Sequence, residues 1–292
     1  MHRFEYCAPT NLSEAISLLE RYGSTARLIA GGTDLLTGLK EHSDRPDYLI
    51  NLAGMAELSF IEYDPAGGLR IGAATTVRQV EKSALIRSNY PVISNAAASL
   101  ASVQIRNLAT VAGNICRASP SADLPPALLA LGASVRLAGP AGERVVALVD
   151  FFSGPGKTVL HPNEILTEIR LPPVRPYGSG AIYLKHCPRR AMDLAAIGVA
   201  AALTLDAGRC SEVGIAMGAV APTPHRARQA ESILIGQTPT PELIERAAVS
   251  AAAEASPISD VRASAAYRRQ MVRVLVGRAL AQSLELAQVT ER

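Results

Sequence analysis

Two glycine bends constrain this 292-residue chain more than any other feature. In "ARLIAGGTDLLTGLKE" a buried strand over residues 26–30 runs through Gly31 and Gly32 into a helix carrying Leu35, Leu36 and Leu39, with Thr33 or Asp34 placed to cap it. In "TVAGNICRASPSADLPPALLALGA", residues 110–133, Gly113 and Asn114 force a second turn and Pro120 stiffens a loop of small residues. Asp123 then stands before Pro125, Pro126 and an apolar run, where position alone makes it a helix N-cap. Bends without bulky side chains expose backbone N–H groups at helix mouths, and an anion gives those donors partners. Read from the residues alone, each bend is either a structural turn or one side of a phosphate cradle. Neither carries the G-x-G-x-x-G fingerprint of a dinucleotide fold or the G-K-[ST] of a P-loop.

The rest of the chain sets the frame around these bends. "NLSEAISLLERYG" predicts a helix capped by Asn11, with Glu14 closing a capping box, one apolar face of Ala15, Ile16, Leu19 and Tyr22, and Gly23 as its stop. With the strand in "YLINL" this makes a small α/β unit over residues 1–57. A second unit over 58–176 opens with a hairpin around "DPAGG". It continues with a helix capped by Thr76 and Gln79, a helical segment over 92–103, and strands at "ASVRLAG", "RVVAL" and "EILTEIRLP". Pro172, Pro173 and "VRPYGSG" mark the boundary to a third unit over 177–292. There "AIYLKHC", "AIGVAAALTLDAG" and "SEVGIAMGAVA" predict three antiparallel strands, followed by two helices. In the last helix Tyr267, Met271, Val274, Leu275 and Ala279 share an apolar face. Strands followed by helices argue an α+β chain.

Composition excludes several classes. Charged residues are 19% of the chain, apolar residues 48%, and the formal net charge is +3, with basic residues paired only at Arg189-Arg190 and Arg268-Arg269. That gives no electrostatic case for nucleic acid or an anionic membrane. The N-terminus lacks the build of a secretory signal, and the apolar runs are too short to span a bilayer. Cys7, Cys116, Cys187 and Cys210 lie too far apart for zinc or iron–sulfur spacing, and the five histidines form no pair at metal spacing, so no metal site is expected. The expected setting is a reducing cytoplasm with inert thiols.

The pair "AGGTDLL" and "TVAGNICRASPSADLPPALLALGA" closely resembles the flavin-binding medium subunit of the molybdenum hydroxylases. That family includes bacterial carbon monoxide dehydrogenase, and its domain is fused within single-chain xanthine dehydrogenase. "FFSGPGKTVLHPNEILTEIRLP", "YLKHCPRRAMDLAAIGVAAAL" and "YRRQMVRVLVGRAL" match the same family in the same order, so the resemblance covers essentially the whole chain. It implies FAD held in a two-part α/β domain of the vanillyl-alcohol-oxidase (PCMH-like) type, followed by a C-terminal antiparallel sheet with helices. The family's first glycine loop maps onto Ala30, Gly31, Gly32, Thr33 and Asp34, flanked by Leu28, Ile29 and Leu35. The second maps onto Thr110, Gly113 and Asn114.

The resemblance also turns Asp123 from a cap into an FAD contact, and places Leu166, Lys185 and Leu100 beside the isoalloxazine. Without it, Lys185 reads as a solvated strand-end lysine. With it, the cation favours the anionic reduced flavin. Arg189 and Arg190 read either as a loop near the ring, oriented by Asp193, or as a solvated basic turn. Ala191 and Met192 stand where relatives often carry acidic residues, which leaves the electron acceptor open. Gly154, Pro155, Gly156 and Lys157 form a turn that only superficially resembles a phosphate loop.

Implied partners are a large molybdopterin-binding subunit, a small subunit with 2Fe–2S clusters and an external acceptor (NAD, quinone, oxygen or another carrier), assembled as a dimer of heterotrimers. Two rival readings are a self-sufficient flavin oxidoreductase, which would need its own acid–base groups at the ring, and a nucleotide-binding assembly subunit without redox duty.

Overall fold

The computed structural model describes residues 3–175, 177–189 and 192–291. The first sheet is built from β1 (Glu5–Cys7), β2 (Ala26–Ile29) and β3 (Tyr48–Asn51), with α1 (Leu12–Tyr22) and α2 (Leu35–Lys40) between them. Its order is β1-β3-β2 and both pairings are parallel. Asn11 caps α1 by accepting from the Glu14 amide at 2.9 Å. The Glu14 carboxylate reaches back one residue further than expected, to the Thr10 amide at 2.7 Å. Ala15 and Leu19 seal α1 onto Ile50, and Tyr22 stacks on Tyr48 with centroids 3.6 Å apart.

The next stretch opens with the predicted hairpin of β4 (Ile61–Asp64) and β5 (Gly68–Gly72). Five short helices follow: α3 (Val77–Lys82), α4 (Ala84–Asn89), α5 (Pro91–Ser99), α6 (Val103–Leu108) and α7 (Val111–Cys116). The Thr76–Gln79 capping box forms at the head of α3. The single helical segment expected over 92–103 is two helices, because Ala101 turns to φ 42° and Ser102 starts α6 by accepting from the Ile105 amide at 3.3 Å. Then come α8 (Leu124–Ala130), β6 (Ser134–Gly139), β7 (Gly142–Ala147), α9 (Leu148–Phe151), β8 (Phe152–Gly154), β9 (Lys157–Thr158) and β10 (Ile165–Leu171). Strands β4-β5-β10-β6-β7 form one antiparallel sheet.

The C-terminal sheet contains the three predicted strands, β11 (Ser179–His186), β12 (Ile197–Asp206) and β13 (Arg209–Gly218). A fourth, two-residue strand, β14 (His225–Arg226), pairs with β13 and extends the three-stranded expectation. Helices α10 (Arg228–Leu234) and α12 (Ala265–Glu291) pack on this sheet, and α11 (Pro241–Glu254) packs against both of them. The buried face of α12 is Arg268, Val272, Leu275, Val276, Ala279, Leu280, Ser283 and Ala287. Tyr267 is off that face at 42% exposure, and Met271 and Val274 only border it.

All seven residues of α8 are buried, and Leu128 shares one apolar cluster with Tyr183, Ala200 and Ala216 of the C-terminal sheet. The carbonyl of Ala130 stands 1.9 Å from where a Cβ on Gly214 would lie, so only glycine lets α8 press this closely on β13.

Candidate functional site

The two glycine bends touch. A Cβ on Gly31 would lie 2.0 Å from the Leu108 carbonyl oxygen and 2.9 Å from the Ala109 Cα, so the first bend rests directly on the backbone that leads into Thr110. A second tie crosses at the surface, where Arg117 and Asp34 form an ion pair at 3.8 Å. Gly32 takes φ 67°, a conformation that suits glycine, and carries the chain past Leu36 and Ile29 into α2. Asp34 occupies the cap position of α2 but its side chain caps nothing. Among the described residues, the amides of Gly31, Gly32, Thr33 and Asp34 have no protein acceptor. Leu28, Ile29, Ala30 and Leu35 stay half-exposed in the flanking backbone, with Ile29 against Gly32 beside the free donors and Leu28 packed on the α1 cluster.

Of the amides, hydroxyl and side-chain amide expected from the second bend, the structure leaves only the side chain of Asn114 unused among the described residues. Thr110 caps α7, its hydroxyl accepting from the Gly113 amide at 3.0 Å and its carbonyl from the Asn114 amide at 3.0 Å. Those two main-chain donors are therefore already used. Thr110 itself is anchored from behind, since Val111 donates to the Thr75 carbonyl at 3.1 Å and Val77 to the Ala109 carbonyl at 2.8 Å. What this bend offers is the Asn114 side chain, whose Oδ1 is buried without a hydrogen-bond partner among the described residues. Buried polar atoms are nearly always satisfied, so an orphan on one bend and a row of unpaired donors on the bend touching it fit a polar ligand held by both. This chemistry suits a dinucleotide: small residues for close approach, unpaired donors for phosphate, and apolar side chains for a ring.

Asp123 and Lys185 meet in the interior, 2.9 Å apart, with side chains 6% and 11% exposed. Lys185 also donates to the Ser99 carbonyl at 3.0 Å, next to Leu100. Tyr183 donates to the other Asp123 oxygen at 2.9 Å. Asp123 thus sits at the head of α8 without capping it, and Lys185 is no solvated strand-end lysine. Burial pushes the Asp123 carboxyl above its ordinary value, against the opposing charge and hydrogen bond of Lys185 and the bond from Tyr183. Burial likewise drives the Tyr183 hydroxyl well above its ordinary range, helped by the Asp123 charge beside it. Leu166 is buried in β10, next to the bulge at Thr167 that shifts the register against β6, and Leu100 closes the turn after α5. Tyr183, Ser99 and Leu108 escaped the sequence reading. Only Tyr183 carried a local signal, two residues from Lys185 on the same face of a strand.

The remaining candidates stay outside this network. Arg189 pairs with Asp193 at 3.3 Å and is largely solvated, while Arg190 lies outside the described residues. Cys187 donates to the Arg189 carbonyl, and burial pushes the Cys116 thiol up to about 12. Two surface recesses, about 320 Å³ beside Arg70 and about 340 Å³ between α11 and α12, lie away from the glycine bends. Among the described residues no helix is long and apolar enough to cross a membrane.

Comparison with known proteins gives this geometry its context. Residues 2–174 match the FAD binding domain in molybdopterin dehydrogenase, and residues 182–283 match the CO dehydrogenase flavoprotein C-terminal domain. The chain is 35% identical over 282 residues to the xanthine dehydrogenase FAD-binding subunit of Escherichia coli O157:H7, covering 97% of this chain and 96% of that one. It superposes on a chain of carbon monoxide dehydrogenase from Hydrogenophaga pseudoflava, in a form lacking the Mo-pyranopterin moiety, with TM-score 0.93 and 36% identity over 97% of this chain and 98% of the other. A chain of quinoline 2-oxidoreductase from Pseudomonas putida 86 matches with TM-score 0.90 and 30% identity, over 97% and 98% of the two chains. With its glycine bends in contact and both matched segments spanning nearly its full length, the chain belongs to the FAD-binding medium subunits of the molybdenum hydroxylase family, and is an FAD-containing oxidoreductase component.

Proposed function

We propose that this chain holds FAD between its two glycine bends and relays electrons within a heteromeric molybdenum-containing dehydrogenase. The observation that carries the reading is the contact of Gly31 with the Leu108–Ala109 backbone, which joins the free amides of one bend to the orphaned Asn114 Oδ1 of the other. In this reading Gly31, Gly32, Thr33 and Asp34 donate to the diphosphate, while Asn114 supplies a side-chain contact and Thr110 and Gly113 keep its helix in place. Leu28, Ile29, Ala30 and Leu35 exclude water from one side. Leu100, Leu166 and the Asp123–Lys185 pair border the isoalloxazine, where Lys185 favours negative charge on the ring.

Bound there, FAD would supply the redox chemistry of a relay whose electron source is the 2Fe–2S clusters of a small subunit and whose outlet is an external acceptor such as NAD, a quinone or oxygen. The protein positions the cofactor, sets its charge environment and shields it. Substrate oxidation belongs to a large molybdopterin-binding subunit, in accord with relatives named for substrates as different as xanthine, carbon monoxide and quinoline. The reading extends to a dimer of heterotrimers in a reducing cytoplasm, where all four cysteines stay free as they are here. It also extends to a three-unit layout over residues 1–57, 58–176 and 177–292.

The test is purification of the chain alone and with its partner subunits. The expected result is a yellow protein with FAD bound that an organic substrate bleaches only when the partners are present. A chain that takes up no FAD refutes the flavin reading, and bleaching of the isolated chain by the organic substrate makes it a self-sufficient oxidoreductase instead.

A further inference from the structure

The turn joining α5 to α6 is strained and held in place by one buried side chain. Ala101 takes φ 42°, the left-handed region that residues with a Cβ avoid. Arg106, on α6, donates through Nη1 to the Leu100 carbonyl at 2.7 Å and more weakly to the Ala101 carbonyl at 3.4 Å. Its Nε donates to Glu81 Oε2 at 2.8 Å, and the two side chains are only 9% and 15% exposed. Glu81 is fixed in turn by Arg78 at 2.6 Å. The guanidinium therefore clamps the carbonyls of Leu100 and the strained Ala101 to a carboxylate on α3, with planar, directional bonds that a lysine would not reproduce.

What this clamp aims is the carbonyl just before the turn. Ser99 O accepts from Lys185 Nζ at 3.0 Å, and the same ammonium holds Asp123 at 2.9 Å. At its other end α6 finishes with Leu108, whose carbonyl rests on Gly31. One six-residue helix thus links the buried ion pair to the first glycine bend. We infer that Arg106 is a positioning residue for the flavin site: by fixing the turn at residues 100–102 it aims the Ser99 carbonyl at Lys185 and sets where the Lys185–Asp123 pair stands. The inference rests on the reading above that Lys185 borders the flavin ring.

Two measurements test it. On the chain freed of FAD, reductive methylation of Lys185 is followed by peptide mass spectrometry in Arg106→Met and Arg106→Lys. Freeing the ammonium from one hydrogen bond raises its reaction rate by about fivefold in R106M, with R106K intermediate. E81Q removes the charge of the Arg106 acceptor and serves as the probe should R106M fail to fold. On the FAD-loaded chain, the midpoint potential is measured for R106M, Lys185→Met and the double variant. R106M shifts the potential in the wild-type background and leaves it unmoved in K185M, because it acts through that lysine. A wild-type methylation rate in R106M, or an undiminished R106M shift in the K185M background, overturns the proposal. An unshifted potential in K185M overturns the flavin assignment of Lys185, and with it the electrostatic half of the proposal, whereas methylation judges the positioning half by itself.

Discussion

Gly31→Ala is the sharpest probe of the site, because its one added carbon lands on backbone. The new Cβ would stand 2.0 Å from the Leu108 carbonyl oxygen. Ordinary carbon–oxygen contacts begin at about 3.3 Å, so the two bends must part by about 1.3 Å. Neither partner is the soft end of a side chain. A hydrogen bond to an anion fails over such a distance, and each one lost costs about 1.5–3 kcal/mol. One lost diphosphate contact therefore weakens FAD binding roughly 10- to 150-fold.

The assay titrates FAD into the apo-chain and follows quenching of flavin fluorescence, with thermal melting run alongside to show that the variant still folds. Gly54→Ala is the control, since its Cβ meets nothing within 4 Å. A folded Gly31→Ala chain that binds FAD with wild-type affinity would refute the argument that the bends grip one ligand. Substitution of Gly113 is the weaker test, because its Cβ meets only the Thr110 hydroxyl at 2.9 Å.

Three further outcomes follow from the same geometry. Asn114→Leu removes an unpaired buried acceptor, so the apo-chain should melt no lower than wild type while FAD binding weakens about tenfold; a lowered apo melting point together with unchanged FAD affinity would make Asn114 purely structural. Burial pushes the Glu81 carboxyl upward, but the bonds and charges of Arg78 and Arg106 outweigh it and hold the group below its ordinary 4.5. Its stabilisation is therefore complete above that value and is lost as pH falls through the lower folded value. Glu81→Gln should cost about 2 kcal/mol at neutral pH, with the gap to wild type closing in acid, and urea melts that keep the gap constant down to the acid limb would exclude this. Gly214→Ala forces a methyl against the Ala130 carbonyl and should lower stability by about 2–3 kcal/mol, whereas an unchanged urea midpoint would show that α8 shifts without strain.

What the residues announced locally is what local chemistry controls. Asn11, Thr76 and Gln79 cap the helices they promised to cap, and the turn at Pro65-Ala66-Gly67 closes its hairpin, because each signal acts within four residues. The bends themselves were legible as small-residue turns. Their contact was not, because Gly31 and Leu108 are joined only through the tertiary fold. The same holds for Asp123, bonded to Tyr183 and Lys185 across separations of 60 and 62 residues. A cap was the sensible local reading of its position, and a distant lysine overrode it. The break at Ala101 was hidden for a related reason: alanine favours helix, and the left-handed turn persists because Arg106 ties down the carbonyls around it. Tyr267 misled through periodicity, which marks a face but not where that face ends; it stands exposed at the end of β11, its hydroxyl 3.0 Å from His186 Nε2.

The entombed helix α8 also decides how this chain can be divided. Its far end lies on Gly214, the loop before it accepts the Ala219 amide at Pro120 O, and its first residues are faced by Tyr183 of the next sheet. A cut in the connector between the matched segments 2–174 and 182–283 would strip water-shy surface bare on both pieces and part Asp123 from its two donors. A hybrid that takes the two segments from different parents therefore has to rematch the seam of Ala130 on Gly214 and the partners of Asp123.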